Sequence, residues 1–287
     1  MSIAKILVPV NGSQHDQVAL ATALSVAKPF NAHVQLVAVH SDPSSAIANV
    51  GVPLTTEAMQ AIVDGQVRYA QAIDARIREL MTSICAEQSA AVVTKPQRVN
   101  GVSASFRHLR GDFERVVAKS ASLSDLVVFS PVYQQQGADL SGAFLRILRS
   151  ARRPVLVGKR RALGQVRKIV VGWDGSVAAA HALRHAMPLL RLSDQVVVLS
   201  VVREGRADPP SGPLSTYLSR HNVSFVCRRV LAGQMSPIGA LLTESRGVAA
   251  DMIVAGAYGH DQLWEALFGG ATASMIADAD IPVFLAH

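Results

Sequence analysis

Cysteine and aromatic residues are scarce in this sequence. Its 287 residues include two cysteines, and Phe, Trp and Tyr together make up 5%. Cys85 and Cys227 lie far apart and match no spacing that is typical of a metal site or a redox motif. The sequence therefore predicts free thiols in a reducing compartment, the cytoplasm, and no bound metal.

Long hydrophobic runs are also missing. No stretch approaches the roughly 18 consecutive apolar residues of a membrane-spanning helix, and the apolar run near the N-terminus is too short for a signal peptide. We therefore expect an internal protein that does not insert into a membrane.

Three widespread catalytic and nucleotide-binding motifs are absent. The chain has no G-x-x-x-x-G-K-[ST], G-x-G-x-x-G or G-x-S-x-G pattern, so P-loop, dinucleotide-binding and hydrolase functions lack their motifs. His181 and His185 are spaced like a metal-binding pair on a helix, but no carboxylate separates them and no third ligand is evident. A solvated helix face is the favoured interpretation of these histidines.

Positive charge is concentrated near the middle of the chain. The formal net charge is +7, and eight basic residues crowd into positions 149–168, namely Arg149, Arg152, Arg153, Lys159, Arg160, Arg161, Arg167 and Lys168. No aromatic residue that would stack on bases is interleaved with them, so a solvated linker is favoured over a specific nucleic-acid site. Any nucleic-acid binding is expected to be weak, salt-sensitive and indifferent to sequence.

Apolar residues are abundant, and the chain repeats itself. Hydrophobic residues make up 49% of the sequence and charged residues 17%, which is enough apolar material for a large core. Three segments occur twice in the same order: 5–13 recurs as 168–176, 125–129 as 251–255, and 154–157 as 282–285. We interpret the chain as a tandem duplication with domains at 1–159 and 165–287.

Strands alternate with helices in both halves. The predicted strands are 6–10, 33–39, 102–109, 125–129 and 155–157, then 169–173, 195–202, 223–230, 252–255 and 282–286. The predicted helices are 14–28, 55–91 and 113–121, then 177–192, 214–221 and 237–247. In the helix at 55–91, apolar residues that include Tyr69 and Ile77 recur on one side.

The predicted strand at 102–109 alternates, but most of the others are apolar runs without alternation. Such strands favour a parallel sheet that is covered on both faces. The predicted fold class is therefore α/β, with two tandem doubly wound parallel-sheet domains. Sheets of this kind bind ligands beyond the carboxyl ends of their strands, where the strand order reverses.

Glycines are concentrated in the last stretch of the chain, residues 251–287. An apolar run ends at Gly256, which begins the spacing G-x2-G-x9-G, and Gly270 directly follows its third glycine. A glycine after a buried strand lets a ligand approach the main chain, and the N–H groups that start the next helix attract anions. We expect that anion to be phosphate.

This spacing, together with the ending Ile281-Pro282-Val283-Phe284-Leu285, resembles the nucleotide loop and last strand of the universal stress protein family. The resemblance covers nearly the whole chain in both halves. It implies Rossmann-like domains of five strands in the order 3-2-1-4-5. It also implies ATP or another adenine nucleotide as the ligand, with self-association or a regulatory protein as a further interaction.

The resemblance also implies binding residues. Asp174 matches the family's adenine-contacting Asp, and Val201 matches the position whose main chain meets the adenine. Judged from the residues alone, Asp174 caps the following helix and Val201 is a core residue. Because Asp174 also matches the family position, we favour a dual role for it, as a helix cap and as an adenine contact. The residues implied on the phosphate side are Gly256, Gly259, His260, Gly269, Gly270, Ala271 and Thr272.

Gly270 departs from the family, whose members carry Ser or Thr at this place. The change removes a hydroxyl ligand but keeps the backbone N–H. Losing one hydrogen bond to a charged phosphate costs roughly 1.5–3 kcal/mol, or about one to two decades in affinity. Thr272 is a candidate to replace the lost hydroxyl.

The first half departs further. Asn11 stands at the place of Asp174, and Ser130-Pro131-Val132-Tyr133 stands where the first two loop glycines are expected. Proline has no N–H, and tyrosine lacks the backbone freedom of glycine. We therefore expect that only the second half binds a nucleotide.

The predicted function is a cytoplasmic stress-response module that binds an adenine nucleotide without substantial catalysis. A slow ATPase is one alternative, but it needs a positioned base, metal ligand or nucleophile, and only Asp174 and His260 are candidates. A ligand-free interaction scaffold is another alternative, which Gly270 and the degenerate first half favour.

Two short apolar strands are predicted at sheet edges, Val155–Val157 and Val283–Ala286. An unpaired strand edge readily pairs with another strand. From the family resemblance we expect these two to pair within the chain and join the halves as a pseudo-twofold unit.

Overall fold

Eleven strands form one sheet in the part of the chain that the structure describes. The computed structural model describes residues 2–42, 55–95, 100–130, 140–158, 163–202, 212–257 and 281–287. The strands are β1 Lys5–Val10, β2 His33–His40, β3 Ala91–Val92, β4 Ser103–Arg110, β5 Leu126–Phe129, β6 Val155–Val157, β7 Lys168–Gly172, β8 Gln195–Val202, β9 Phe225–Leu231, β10 Met252–Gly256 and β11 Val283–Ala286. The helices are α1 Asp16–Ala27, α2 Thr56–Glu87, α3 Phe113–Ala121, α4 Leu140–Arg146, α5 Val177–Leu190, α6 Gly212–Arg220 and α7 Pro237–Gly247, with a 3-10 turn at Lys28–Phe30 and a π turn at Ile147–Ala151.

The strand order is β3-β4-β2-β1-β5-β6-β11-β10-β7-β8-β9. Apart from β3, each half has the expected order 3-2-1-4-5, and neighbouring strands within each half are parallel. The first half adds β3 at its outer edge, where Ala91 pairs with Ser103 and Val92 with Ala104. That half therefore has six strands rather than the expected five.

The two halves join through β6 and β11, as the family resemblance implied. These strands are antiparallel, with Leu156 opposite Phe284 and Val157 opposite Val283. All residues of both strands are buried. The two half-sheets are therefore continuous within one chain.

Helices cover both faces of the sheet. On β1, Ile6 and Val8 face one core and Leu7 faces another, and all three are fully buried. One face carries a single core that runs through both halves and includes residues of α1, α2, α5 and α6. The opposite face carries two separate cores, one centred on each half. This burial on both faces explains why central strands such as β1 are apolar, whereas the outer strands β4 and β9 carry exposed polar residues.

A repeated aspartate ties two strands together in each half. The Oδ2 atom of Asp125 accepts hydrogen bonds from the backbone N–H groups of Ala4, at 2.8 Å, and Lys5, at 3.0 Å. Asp251 makes the same pair of contacts at the start of β7, with the N–H of Lys168 at 2.8 Å. In each half, one carboxylate thus holds the start of the first strand beside the start of the fourth.

Four helices begin at side-chain caps, in which the capping oxygen accepts a hydrogen bond from the N–H three residues later. The distances are between 2.9 and 3.2 Å, and the caps are Thr55, Asp112, Ser176 and Ser236. α1 differs, because it follows His15, which makes no side-chain cap. The predicted helix start near Ser13 was therefore wrong by two to three residues.

The long helix α2 differs from its prediction at its C-terminal end and in the exposure of Tyr69. It stops at Glu87, because Ser89 takes a left-handed φ of 57°, and β3 follows. Tyr69, predicted on its buried side, is 67% exposed. The 32 residues of α2 span about 48 Å, whereas the eight residues of β2 span about 26 Å, so the first part of α2 has no sheet to cover.

Candidate ligand site in the second half

Three strand ends meet at one edge of the sheet in the second half. β7 lies between β8 and β10, and all three are parallel, so their carboxyl ends are neighbours. Together with the first turns of α5 and α7, they frame a cavity of about 80 Å³. A doubly wound sheet binds its ligands at this place, because the connections from the central strand leave in opposite directions here.

The cavity brings together three of the predicted site residues. Asp174 follows β7, Val201 lies near the end of β8, and Gly256 ends β10, and all three line the cavity. The other predicted residues lie outside the described part of the chain: Gly259, His260, Gly269, Gly270, Ala271 and Thr272.

Asp174 shapes the turn that leads into α5. Its Oδ1 atom accepts a hydrogen bond from the N–H of Ser176 at 2.9 Å, and Gly175 between them has a φ of +77°. Ser176 is the residue that caps α5, since its Oγ accepts from the N–H of Ala179 at 3.1 Å. The prediction that Asp174 itself caps the helix was therefore wrong, because the capping residue lies two residues later.

Gly256 is required for packing. A Cβ atom at this position would lie 2.5 Å from the backbone C of Ala178 and the backbone N of Ala179. Because real Cβ atoms are not found so close to backbone, any other residue would push α5 away from β10. The glycine therefore lets the first turn of α5 approach the strand end closely, which brings Ala179 into the wall of the cavity.

Apolar side chains that the sequence did not single out form most of the wall. Trp173, Leu199, Ile238 and Leu241 line the cavity alongside Val201. Leu241 has room because Gly172 has no side chain: a Cβ there would lie 3.2 Å from Leu241 Cδ2. In the sequence, Ile238 and Leu241 are simply two apolar residues near the start of a helix that follows a strand. Such pairs are too common to indicate a binding site.

Asp174 supplies the one ionisable side chain among the described residues that line this cavity. A slot with apolar walls and a single carboxylate at its rim is suited to a flat heteroaromatic ring that carries N–H donors. The ring would contact the walls, and an N–H group at its edge would donate to the carboxylate.

The first half contains the same turn with different residues. Asn11 Oδ1 accepts from the N–H of Ser13 at 3.0 Å, and Gly12 has a φ of +81°. Asn11 therefore does the structural work that Asp174 does in the second half, but without a charge.

An aspartate then occupies the position that Ala179 takes in the second half. Asp16 lies 163 residues before Ala179 in the repeat and is 4% exposed. Its Oδ2 atom accepts from the N–H groups of Gly12, at 2.7 Å, and Asn11, at 3.1 Å. Burial raises the pKa of Asp16 to about 7, although the hydrogen bonds from these N–H groups oppose the shift.

Helix α2 covers the same turn in the first half. A Cβ atom at Gly12 would lie 3.1 Å from Ile73 Cγ2. Arg76 donates from Nη1 to the carbonyl oxygen of Gly12 at 3.3 Å. In the first half, the turn at 11–13 is therefore bound by the Asp16 carboxylate and covered by α2.

The described residues contain no group of three His, Cys, Asp or Glu side chains arranged to hold a metal ion. None of their helices combines the length and the apolar character that crossing a membrane requires.

Comparison with known families agrees with this architecture. The model of the universal stress protein family matches residues 2–105 and 165–287, one segment in each half. The chain belongs to the universal stress protein family. It is a tandem member, since both halves match and each has the family's strand order.

Solved universal stress proteins share the fold over almost the full length. One from Archaeoglobus fulgidus DSM 4304 is 14% identical, covers 98% of this chain and 95% of its own, and has a TM-score of 0.70. A structure from Pseudomonas aeruginosa UCBPP-PA14, described as a universal stress protein, is 17% identical, covers 99% of this chain and 93% of its own, and has a TM-score of 0.55. At these identities the similarity establishes the fold alone.

A universal stress protein solved in complex with cAMP is 15% identical and covers 55% of this chain and 97% of its own. Its TM-score of 0.34 is too low for its ligand to be carried over to this chain. Among curated proteins, none matches the sequence.

Proposed function

We propose that this protein is a regulatory stress-response module that binds one adenine nucleotide, ATP in the first instance, in its second half. The observation that carries the proposal is that Asp174, Val201 and Gly256 line one cavity. Each comes from the end of a different parallel strand, and each stands at a position that the family resemblance assigns to nucleotide binding. The cavity lies at the strand ends where doubly wound sheets bind ligands.

The size and chemistry of the cavity fit the base of a nucleotide. Its volume of about 80 Å³ is well below the roughly 300–1,000 Å³ of a pocket that encloses a drug-sized ligand. The cavity would therefore hold the ring, while the sugar and phosphates extend past Gly256. The chain continues there into a segment whose glycines, Gly259, Gly269 and Gly270, are suited to donate backbone N–H groups to phosphate.

We propose that turnover of the nucleotide is not the main function. Hydrolysis requires a base or a metal that positions and activates water near the phosphates. Asp174 is the ionisable residue among the described lining, and it stands where the base, not the phosphate chain, would bind.

We also propose that residues 1–159 and 165–287 are the two domains and that the first does not bind nucleotide. Asp16 supports this, because its carboxylate takes the N–H groups of Asn11 and Gly12 and would repel a phosphate when ionised. For the compartment we propose the cytoplasm, because Cys85 and Cys227 are both unpaired.

The decisive experiment exchanges one residue between the two halves. In Asp174→Asn, the amide oxygen can still accept from Ser176, as Asn11 accepts from Ser13, so the turn should persist. The charge that accepts from the base is lost. We expect ATP affinity to fall about ten- to a hundredfold, measured by isothermal titration calorimetry with one site per chain.

The matched control is Asn11→Asp, which should leave both affinity and stoichiometry unchanged. A stoichiometry near two, or an equal effect of both substitutions, would contradict the one-site proposal. No binding to the wild type at millimolar ATP would favour the ligand-free scaffold instead. Release of phosphate from ATP by the wild type at several turnovers per minute would favour the ATPase.

A further inference from the structure

A second cavity lies at the junction of the two halves, against α5. It has a volume of about 150 Å³, and the described residues that line it are Arg152, His181, Arg184, His185 and His287. All five are basic. The cavity is separate from the one beside Asp174, with which it shares no described lining residue.

The fold explains why these five side chains meet. His181, Arg184 and His185 stand at positions i, i+3 and i+4 of α5, which places them on one side of the helix. Arg152 ends the π turn just before β6, with a left-handed φ of 48°. Because β6 and β11 are antiparallel, the start of β6 lies beside the end of β11, which His287 follows.

The described residues that line this cavity include no carboxylate side chain. Burial first, and then the nearby charges of His181, Arg153 and Arg184, lower the pKa of His185 below its ordinary value. Because positive charges that lie close together repel one another, such a lining favours an anionic ligand.

The fold itself does not require these basic residues. In the first half, the positions of α1 that correspond to His181, Arg184 and His185 are Val18, Ala21 and Thr22. They pack closely there: a Cβ atom at Gly158, which follows β6, would lie 3.4 Å from Thr22 Oγ1 and 3.8 Å from Val18 Cγ1. Small side chains therefore fill this place in one half, whereas a cationic cavity opens in the other.

We propose that the cationic cavity binds a phosphate group, either as inorganic phosphate or as the phosphate of a small monoester. Guanidinium groups such as those of Arg152 and Arg184 match the geometry of phosphate oxygens, and histidines add donors that become charged when an anion is near. The volume of about 150 Å³ is large enough for one phosphate group with bound water.

Binding of an anion should appear directly at the histidines. We would titrate inorganic phosphate into the full-length protein at constant ionic strength and follow the ring-proton NMR signals of His181, His185 and His287. Saturable shifts at millimolar phosphate are expected. The pKa of His185 should rise as phosphate saturates the site, because a bound anion favours the charged imidazole.

Two arginines at α5 provide a matched pair of variants. Arg184→Gln removes a lining guanidinium from the exposed side of the helix, and we expect it to weaken phosphate binding about ten- to a hundredfold. Arg191→Gln removes the same charge from the exposed C-cap residue of the helix, outside the described lining, and should change the affinity less than about twofold.

A parallel titration with glycerol phosphate distinguishes the two sources of the phosphate group. Tighter binding of the monoester would identify a phosphorylated metabolite as the ligand, and tighter binding of inorganic phosphate would identify the free ion. The proposal is overturned if no histidine signal shows a saturable change. It is equally overturned if Arg191→Gln weakens binding as much as Arg184→Gln, since the effect would then be general attraction to a basic surface.

Discussion

Asp16 and Ala179 occupy matching positions in the two halves but make different contacts. Ala179 lines the ligand cavity with a small side chain, whereas the carboxylate of Asp16 accepts hydrogen bonds from the N–H groups of Gly12 and Asn11. A carboxylate that is 4% exposed and whose pKa is raised to about 7 must also make stability depend on pH.

The first prediction is that part of the stability is lost as the pH rises from about 4 to about 7. The folded chain keeps the proton of Asp16 up to about pH 7, whereas the unfolded chain releases it near pH 3.8, so the folded state binds more protons between these values. The free energy of unfolding should therefore fall across this window, by at most about 4 kcal/mol from this group. Urea denaturation at a series of pH values measures the slope.

Asp16→Asn should flatten that slope, because an amide stays neutral throughout. The matched control is Asp64→Asn on the exposed side of α2, which should keep the wild-type slope. If stability instead rose between pH 4 and pH 7 in the wild type relative to Asp16→Asn, the carboxylate would be ionised in the folded protein and this account of Asp16 would be wrong.

At the scale of single residues, the predictions succeeded for site residues that lie at the ends of strands. Asp174, Val201 and Gly256 could be predicted to meet because the carboxyl ends of parallel strands share one edge. Their local roles could not be predicted in the same way. That Gly256 must accommodate the backbone of Ala178 depends on how closely α5 approaches β10, and this is fixed by packing across the whole layer.

Helix α2 is held against the first half by a polar cluster. The carboxylate of Asp74 accepts from His40 at the end of β2, at 2.8 Å, and from His108 on β4, at 2.9 Å, while Arg78 lies 3.7 Å away. The side chain of Asp74 is only 9% exposed. One residue of the helix thus joins two neighbouring strands.

The second prediction is that Asp74→Ala lowers the free energy of unfolding by about 1–3 kcal/mol. The substitution leaves the ring of His40, which is largely buried, without its partner and removes two hydrogen bonds between α2 and the sheet. Chemical denaturation at pH 7 measures the change. Asp64→Ala, on the same helix but exposed, should change stability by less than about 0.5 kcal/mol, and an equal loss in both variants would show that Asp74 has no special role.

Elements with clear signals at both ends were predicted closely. Phe113–Ala121, Gln195–Val202 and Pro237–Gly247 agree with their predictions residue for residue, and the two helices among them begin at the caps Asp112 and Ser236. β3 was missed, because the predicted helix extended to residue 91 and a strand of two residues is too short to show a periodic pattern. Such a strand exists only because β4 offers it an edge, which local sequence does not encode.

The single core on one face runs through both halves and includes Leu156 of β6 and Phe284 of β11. These residues are 0% and 1% exposed. Each half would therefore expose an apolar strand edge and a severed core if it were produced alone.

The third prediction is that separately expressed segments 1–159 and 165–287 form a one-to-one complex. Pairing of β6 with β11 and closure of the shared core supply the driving force. Analytical ultracentrifugation of the mixture measures the association. Leu156→Asp should abolish it, whereas Leu123→Asp, at a leucine that is 85% exposed, should not; two segments that stay monomeric when mixed would show that the joint does not hold the halves together.

The antiparallel pairing of β6 with β11 lies within one chain, so a substitution in one half is not repeated in the other. In a dimer of identical subunits, every change appears twice, on both sides of the twofold axis, so a residue that closes one site closes the other as well. In a fused pair, each side varies alone. Asp16 can bind the backbone of its turn while Ala179 lines the ligand cavity of the other half, and three basic residues can lie together on α5 while Val18, Ala21 and Thr22 occupy the matching positions of α1. In a fused chain, the two halves must still fit each other at their interface, but their binding sites can differ.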